Sequence, residues 1–118
     1  MNNDLALLME ENLAQVWSQP DTFARMQSIQ TIYSVDSSLN HVGHQTTGYE
    51  AINQSVNNVL ANMPIDFSFF RLKPVVINNN LGRLIWGMGP NIESLVATGM
   101  DVAFFEGGKI KLLYVFLG

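Results

Sequence analysis

The chain contains no cysteine, which excludes disulfide bonds, thiolate nucleophiles and sulfur-ligated zinc together. Charge is scarce too. Only 14% of the 118 residues are Asp, Glu, Lys or Arg, against about 25% in an average soluble domain. Six basic residues stand against ten acidic ones, for a formal net charge of −4, so the electrostatic footprint of a nucleic-acid binder is missing. No apolar run approaches the roughly 20 residues of a membrane span. Met1-Asn2-Asn3-Asp4 lacks the basic flank of a secretory signal, and Leu5–Met9 is too short for its apolar core. The expectation is a cytoplasmic protein with neither nucleic acid nor membrane as partner, in which Asn53-Gln54-Ser55 matches a glycosylation sequon by chance.

What is present is a globular core: 47% of residues are hydrophobic, and the length fits one domain over 1–118. Leu5, Leu8, Met9, Leu13, Val16 and Trp17 fall at helical spacing, with Asn3 or Asp4 available as a cap. Gln19-Pro20-Asp21 breaks that helix and opens a second through Phe23, Met26, Ile29 and Tyr33. Asp36 to Gln45 reads as a short strand and loop without a clean period. Thr47 and Glu50 have the offset of a capping box ahead of a third helix, whose stripe is Tyr49, Ile52, Val56, Val59, Leu60 and Met63. Pro64 ends it.

Strand patterning follows. Ile65–Ile77 is β-branched and aromatic, with Pro74 marking a bulge or an edge. Arg83–Met88 and Ser94–Phe105 come next, and Gly107-Gly108 turns the chain into Ile110–Leu117. The expected architecture is α+β, with three helices on one face of four antiparallel strands.

Ser94–Phe105 carries Leu95, Ala97, Gly99, Asp101, Ala103 and Phe105 on one face and Val96, Thr98, Met100, Val102 and Phe104 on the other. Both faces are apolar enough to need cover. Helices cover one; a homodimer through the sheet, or a wider helical layer, covers the second. The small residues beside Asp101 either leave room for a cavity that takes a small apolar ligand or let a helix approach closely.

Asp101 is the sharpest single signal, a carboxyl inside an apolar strand that must be paired or protonated. It serves either as a pocket acid or as a salt-bridge partner, with Arg83 the candidate cation. His41 can move a proton near neutral pH, or it is an exposed loop residue. His44 lies three residues on, a spacing that points the rings to opposite faces in extended chain. No third ligand is marked, so no metal site is expected. Gly87-Met88-Gly89 has no helix behind it and no serine has an elbow motif, which removes phosphate-loop and serine-hydrolase readings. No cofactor is expected. Asp36 is read as a turn or cap. The aromatics Trp17, Phe67, Phe69, Trp86, Tyr114 and Phe116 suit either a core or a ring-lined cavity.

Val16-Trp17-Ser18-Gln19-Pro20-Asp21, Tyr33-Ser34-Val35-Asp36, Gly48-Tyr49-Glu50-Ala51-Ile52 and the C-terminal run from Gly99 to Ile110 together resemble the nuclear transport factor 2-like (SnoaL-like) proteins. The resemblance spans nearly the whole chain. It implies a cone-shaped cystatin-like fold, a curved sheet around a hydrophobic pocket closed by helices, and dimers through the sheet. In family enzymes such as ketosteroid isomerase the general base is an Asp, whose place is taken here by His41, and the oxyanion-side Asp corresponds to Asp101. The phenolic donor of those enzymes has no counterpart, since Leu13 lies near its place. The candidate site is then His41 and Asp101 as catalytic groups, walled by Trp17, Tyr33, Asp36, Phe67, Trp86, Tyr114 and Phe116. An isomerase or cyclase acting on an apolar carbonyl compound, a hydrophobic-ligand binder and a dimeric interaction module are the three functions compatible with this pattern.

Overall fold

The first helix is apolar on one side because the chain must cover a sheet it has not yet built. In the computed structural model the backbone is described over residues 2–118 and the side chains over residues 5–118. Helix α1 (Asn2–Glu11) runs into a wider π turn, Asn12–Trp17. Asn12, Leu13, Val16 and Trp17 of that turn are all buried. Two neighbouring pairs of residues thus face inward where the helix meets the sheet; such widened turns recur at functional sites. The cap expected of Asn3 or Asp4 lies outside the described side chains. Among the described residues no helix is long and apolar enough to cross a membrane.

Asp21 caps helix α2 (Thr22–Ile32), its carboxylate accepting from the Ala24 amide at 3.2 Å. The buried stripe differs from the expected one: Phe23 is 74% exposed, and Arg25 is buried with Ile29 and Ile32. Helix α3 (Tyr49–Ala61) follows the predicted stripe at Ile52 and Val56. Its N-cap is Gly48 at φ 94°, with no capping box. Thr47 Oγ1 instead lies 3.0 Å from Ser38 Oγ across a strand pair. Asn53 is buried and bonded to Arg25 and to the Thr22 carbonyl, which leaves the sequon without an accessible amide.

Seven strands form one sheet: β1 (Tyr33–His41), β2 (His44–Thr47), β3 (Ser68–Arg71), β4 (Val76–Asn78), β5 (Leu81–Gly89), β6 (Ala97–Glu106) and β7 (Lys109–Leu117). Their order is β2-β1-β7-β6-β5-β3, with β4 also paired to β5. The sheet is mixed, because β1 runs parallel to β7; a purely antiparallel arrangement was expected. Alternation reports which face a residue takes and says nothing of strand direction. Tyr33 opens β1 rather than ending α2. Between Tyr33 and Ser38 the β1 register slips, five residues advancing against two on β7, so the segment shows no clean period. Asp36 sits in that irregular stretch, on the surface.

The stretch Ile65–Ile77 divides into β3 and β4 around Pro74, both on the same side of β5, consistent with the edge role expected of that proline. Residues 94–96 precede β6 rather than belonging to it, and Leu95 packs against Gly87. Gly107 and Gly108, at φ 62° and 77°, make the turn into β7. The core joins the helices to the inner face, with Val16, Ile29, Ile52, Leu84, Ile110 and Leu113 fully buried. Outside, Tyr114 and Phe116 remain 40% and 51% exposed.

Candidate functional site

Sheet register brings the two sharpest residues of the sequence together. His41 of β1 is level with Val115 of β7, and Val115 is level with Asp101 of β6. The two titratable groups therefore share one rung, two strand spacings or roughly 10 Å apart at the backbone. All three residues line the same cavity of about 360 Å³, a volume within the range of small-molecule pockets. Leu13 and Trp17 of the π turn and Val59 of α3 close it from the helical side, and Met88, Ala97 and Leu117 line the sheet near its rim.

Three rings form the aromatic wall. Phe69 meets Trp17 edge to face at 6.2 Å and Trp86 at 5.2 Å, an arrangement favoured by the ring quadrupoles. Trp86 also supplies the partner that Asp101 requires: its Nε1–H donates to Asp101 Oδ1 at 2.9 Å. The Arg83 expected in this role is excluded by strand parity. Leu84 and Trp86 are buried, and Arg83, between Gly82 and Leu84, is exposed on the outer side of β5. Gly99 gives the indole its place, since a β-carbon there would come within 2.2 Å of the Trp86 ring. The small residues of β6 therefore do two things: Ala97 lines the cavity, and Gly99 seats the ring that holds Asp101.

Burial sets the ionisation. Asp101 is 3% exposed, and desolvation pushes its carboxyl up to about 7 against the opposing pull of the Trp86 bond. Burial, and then the neighbouring His44, hold His41 below the ordinary histidine range. At neutral pH His41 is thus a free base, and a large share of Asp101 carries its proton. With Oδ1 accepting from Trp86, the proton has Oδ2 as its seat. In the share of molecules that keeps this proton, an acceptor and a donor, both uncharged, face one apolar cavity.

The other expected wall residues are placed elsewhere. Tyr33 is fully buried beneath the site and donates to Asn12 Oδ1 at 2.6 Å; burial, followed by the charge of Asp101, raises its phenol well above the ordinary tyrosine range. Asp36 is exposed and paired with Lys111, which lowers its carboxyl. Phe67 lies ahead of β3, outside the cavity lining. Tyr114 and Phe116 alternate with Val115 and so take the opposite face of β7. His41 and His44 are cross-strand partners in the β1–β2 hairpin, with ring centroids 5.6 Å apart, because the turn at Val42-Gly43 folds the expected extended spacing back on itself. No group of three or more metal-ligating side chains comes together among the described residues.

Several solved structures share this architecture. A proposed isomerase of the SnoaL-like family from Agrobacterium tumefaciens superposes with a TM-score of 0.87 at 19% identity, over 98% of each chain. The fold is that of the nuclear transport factor 2-like proteins. A proposed polyketide cyclase from Sinorhizobium meliloti matches with a TM-score of 0.70 at 18% identity, again over 98% of both chains. A de novo designed protein with a curved β-sheet matches 100% of this chain and 88% of its own at 0.76 and 15% identity. A shape shared with a designed protein assigns no reaction by itself. No protein-family profile matches the sequence, and no curated protein matches it either.

Proposed function

We propose that the chain is a small-molecule pocket protein that performs acid–base chemistry on an apolar carbonyl compound, as an isomerase or cyclase. The observation that carries this reading is the shared rung: His41 and Asp101 face one apolar cavity with ionisation displaced in opposite directions. The two shifts reverse the ordinary order, leaving the histidine as the free base and the carboxyl as the proton carrier near neutral pH. In this reading His41 removes a proton from the carbon beside the carbonyl, and Oδ2 of protonated Asp101 donates a hydrogen bond to the developing enolate oxygen. Trp86 holds the carboxyl in position. The proposed isomerase and polyketide cyclase among the structural neighbours have the same fold and are compatible with this chemistry.

The test does not require the natural substrate. 2-Tetralone is a compact aromatic ketone whose α-protons exchange with D2O by the same abstraction step. Proton NMR should show exchange accelerated over buffer by the wild-type protein and lost in His41→Ala. Binding of the ketone without acceleration would leave a hydrophobic-ligand binder. Absence of binding would remove the pocket reading altogether.

The exposed apolar outer face favours a second role alongside the first. Met100, Phe104, Tyr114 and Phe116 are on the side of the sheet away from the helices and remain open or half-buried. A second copy of the chain covers such a face at lowest cost by two-fold symmetry, and the proposed state is a homodimer through the sheet.

A further inference from the structure

Beyond the apolar cavity lies a second chamber of about 550 Å³, and His41, Val59 and Met88 belong to the walls of both. Its chemistry is different. Gln45 and Thr46 of β2, Ser55 and Asn58 of α3 and Asn62 just past its end line it with His44, beside the apolar Met63 and Pro64. No Asp, Glu, Lys or Arg does so. The Asn58 carboxamide oxygen accepts from Gln54, and the Asn58 backbone carbonyl accepts from the Asn62 amide. Asn58 Nδ2 and Asn62 Oδ1 have no protein partner among the described residues, so the wall offers a donor and an acceptor side by side, with hydroxyls next to them. A fixed charge would find no counter-ion here: the histidines are the titratable groups of this wall, and His41 is held neutral by burial and by His44.

Resting on the pocket reading above, we infer that the ligand is amphipathic in an uncharged way: an apolar, ring-sized body in the inner cavity and a polyhydroxylated, sugar-like head in the outer chamber. Hydroxyl groups need a donor and an acceptor at once, which adjacent carboxamides and hydroxyls provide. A phosphate or carboxylate head has no arginine or lysine to meet it. The inner volume, roughly a dozen water-sized groups, suits a bicyclic ring system.

Three probes separate the possibilities by calorimetry at pH 7: 2-naphthol, 2-naphthyl β-D-glucopyranoside and 2-naphthyl phosphate. The glucoside should bind about tenfold tighter than naphthol, the gain of one or two net hydrogen bonds, and the phosphate no tighter than naphthol. The double variant Asn58→Ala/Asn62→Ala should bring the glucoside down to the level that naphthol shows in the same variant. If naphthol binds but the glucoside shows no advantage, or the phosphate is preferred, the inference fails and the cavity stands. If naphthol does not bind at all, the pocket reading fails and carries the inference with it.

Discussion

The Trp86 indole lies over Gly99, and the missing side chain there is what lets the ring reach Asp101. A β-carbon at this position would meet two ring carbons at 2.2 and 2.5 Å and the Phe116 carbonyl at 2.6 Å. Gly99→Ala should therefore displace the ring or the strand, at a cost of about 1–3 kcal/mol. Breaking the indole bond also removes the one influence that lowers the Asp101 proton affinity, so the carboxyl should titrate higher still. Urea denaturation reads the first effect, and carboxyl infrared or carbon NMR titration reads the second. A fully stable variant with unchanged tryptophan emission would contradict the packing described.

Asp101 makes stability fall as pH rises. Its carboxyl ordinarily titrates at 3.8 and is pushed up to about 7 in the folded chain, so the folded state binds the extra proton between those values. Stability is greatest below the lower value, declines through the interval, and levels off above the higher one. The loss is on the order of 4 kcal/mol over about three pH units. Asp101→Asn keeps the shape and an oxygen for Trp86 but cannot ionise. It should match wild type in melting temperature near pH 4, exceed it at pH 8, and lack the decline between. The same substitution should slow the α-proton exchange without abolishing it, because the carboxamide still donates from the Oδ2 position but more weakly than a carboxylic acid. Stability and activity are thus opposed at one residue.

The outline of both results was legible beforehand, but the partner was not. Asp101 stands out because a carboxyl between Met100 and Val102 has no reason to be buried without a role, and the strand's faces could be read from parity alone. That Trp86 rather than Arg83 serves it depends on which β5 residues face inward, and a register between strands is not written in either strand by itself. The parallel β1–β7 pair was hidden for a similar reason: the slip between Tyr33 and Ser38 destroys the alternation by which a strand is recognised. Tyr114 and Phe116 were assigned to the wall because they are aromatic, whereas alternation about Val115 puts them outside. The three helical segments were legible, but the π turn at Asn12–Trp17, the glycine N-cap in place of the Thr47–Glu50 box, the start of β1 at Tyr33 and the polar clamp at Arg25 in place of Phe23 were not. Periodicity counts apolar residues and overlooks a buried cation.

In the proposed reaction, His41 and Asp101 together define a narrow pH window. The base must be unprotonated, and its proton affinity lies below the ordinary histidine value of 6.5. The acid must be protonated, and it loses its proton near 7. The rate of tetralone exchange should therefore rise from acid through a limb below 6.5 and fall on an alkaline limb near 7. His41→Ala should lower the exchange rate by about 10²–10⁴-fold without changing the far-UV circular dichroism. A flat profile, or one rising without limit into alkali, would remove Asp101 from the acid role.

Arg25 holds the helical layer without a paired carboxylate. Its guanidinium, 1% exposed, donates through Nε to the Gln19 carbonyl at 3.0 Å and through Nη1 to Asn53 Oδ1 at 2.8 Å and Asn57 Oδ1 at 2.6 Å. Nη2 reaches the Pro20 carbonyl at 3.3 Å. One planar fork thus ties the turn before α2 to α3, which forms part of the roof of the cavity. Arg25→Lys keeps the charge but cannot reproduce the fork, and should cost about 1–3 kcal/mol. Because the residue does not touch the cavity, tetralone affinity in the folded variant should be unchanged. A urea midpoint equal to wild type would show that the fork contributes nothing.

The outer sheet face carries the last prediction. Phe116 is 51% exposed and Tyr114 40%, both on the central strand β7. The proposed homodimer would cover this apolar strip at the centre of the sheet, as large exposed apolar patches often serve association. Light scattering of the wild-type chain should give twice the monomer mass at micromolar concentration. Phe116→Asp sets like charges near each other across a two-fold axis and should return the monomer. Its side chain points away from the cavity, so 2-tetralone should still bind the variant. A wild-type chain that is monomeric at high concentration would leave the strip without a second copy, and loss of tetralone binding in a folded Phe116→Asp monomer would tie the cavity to the dimer.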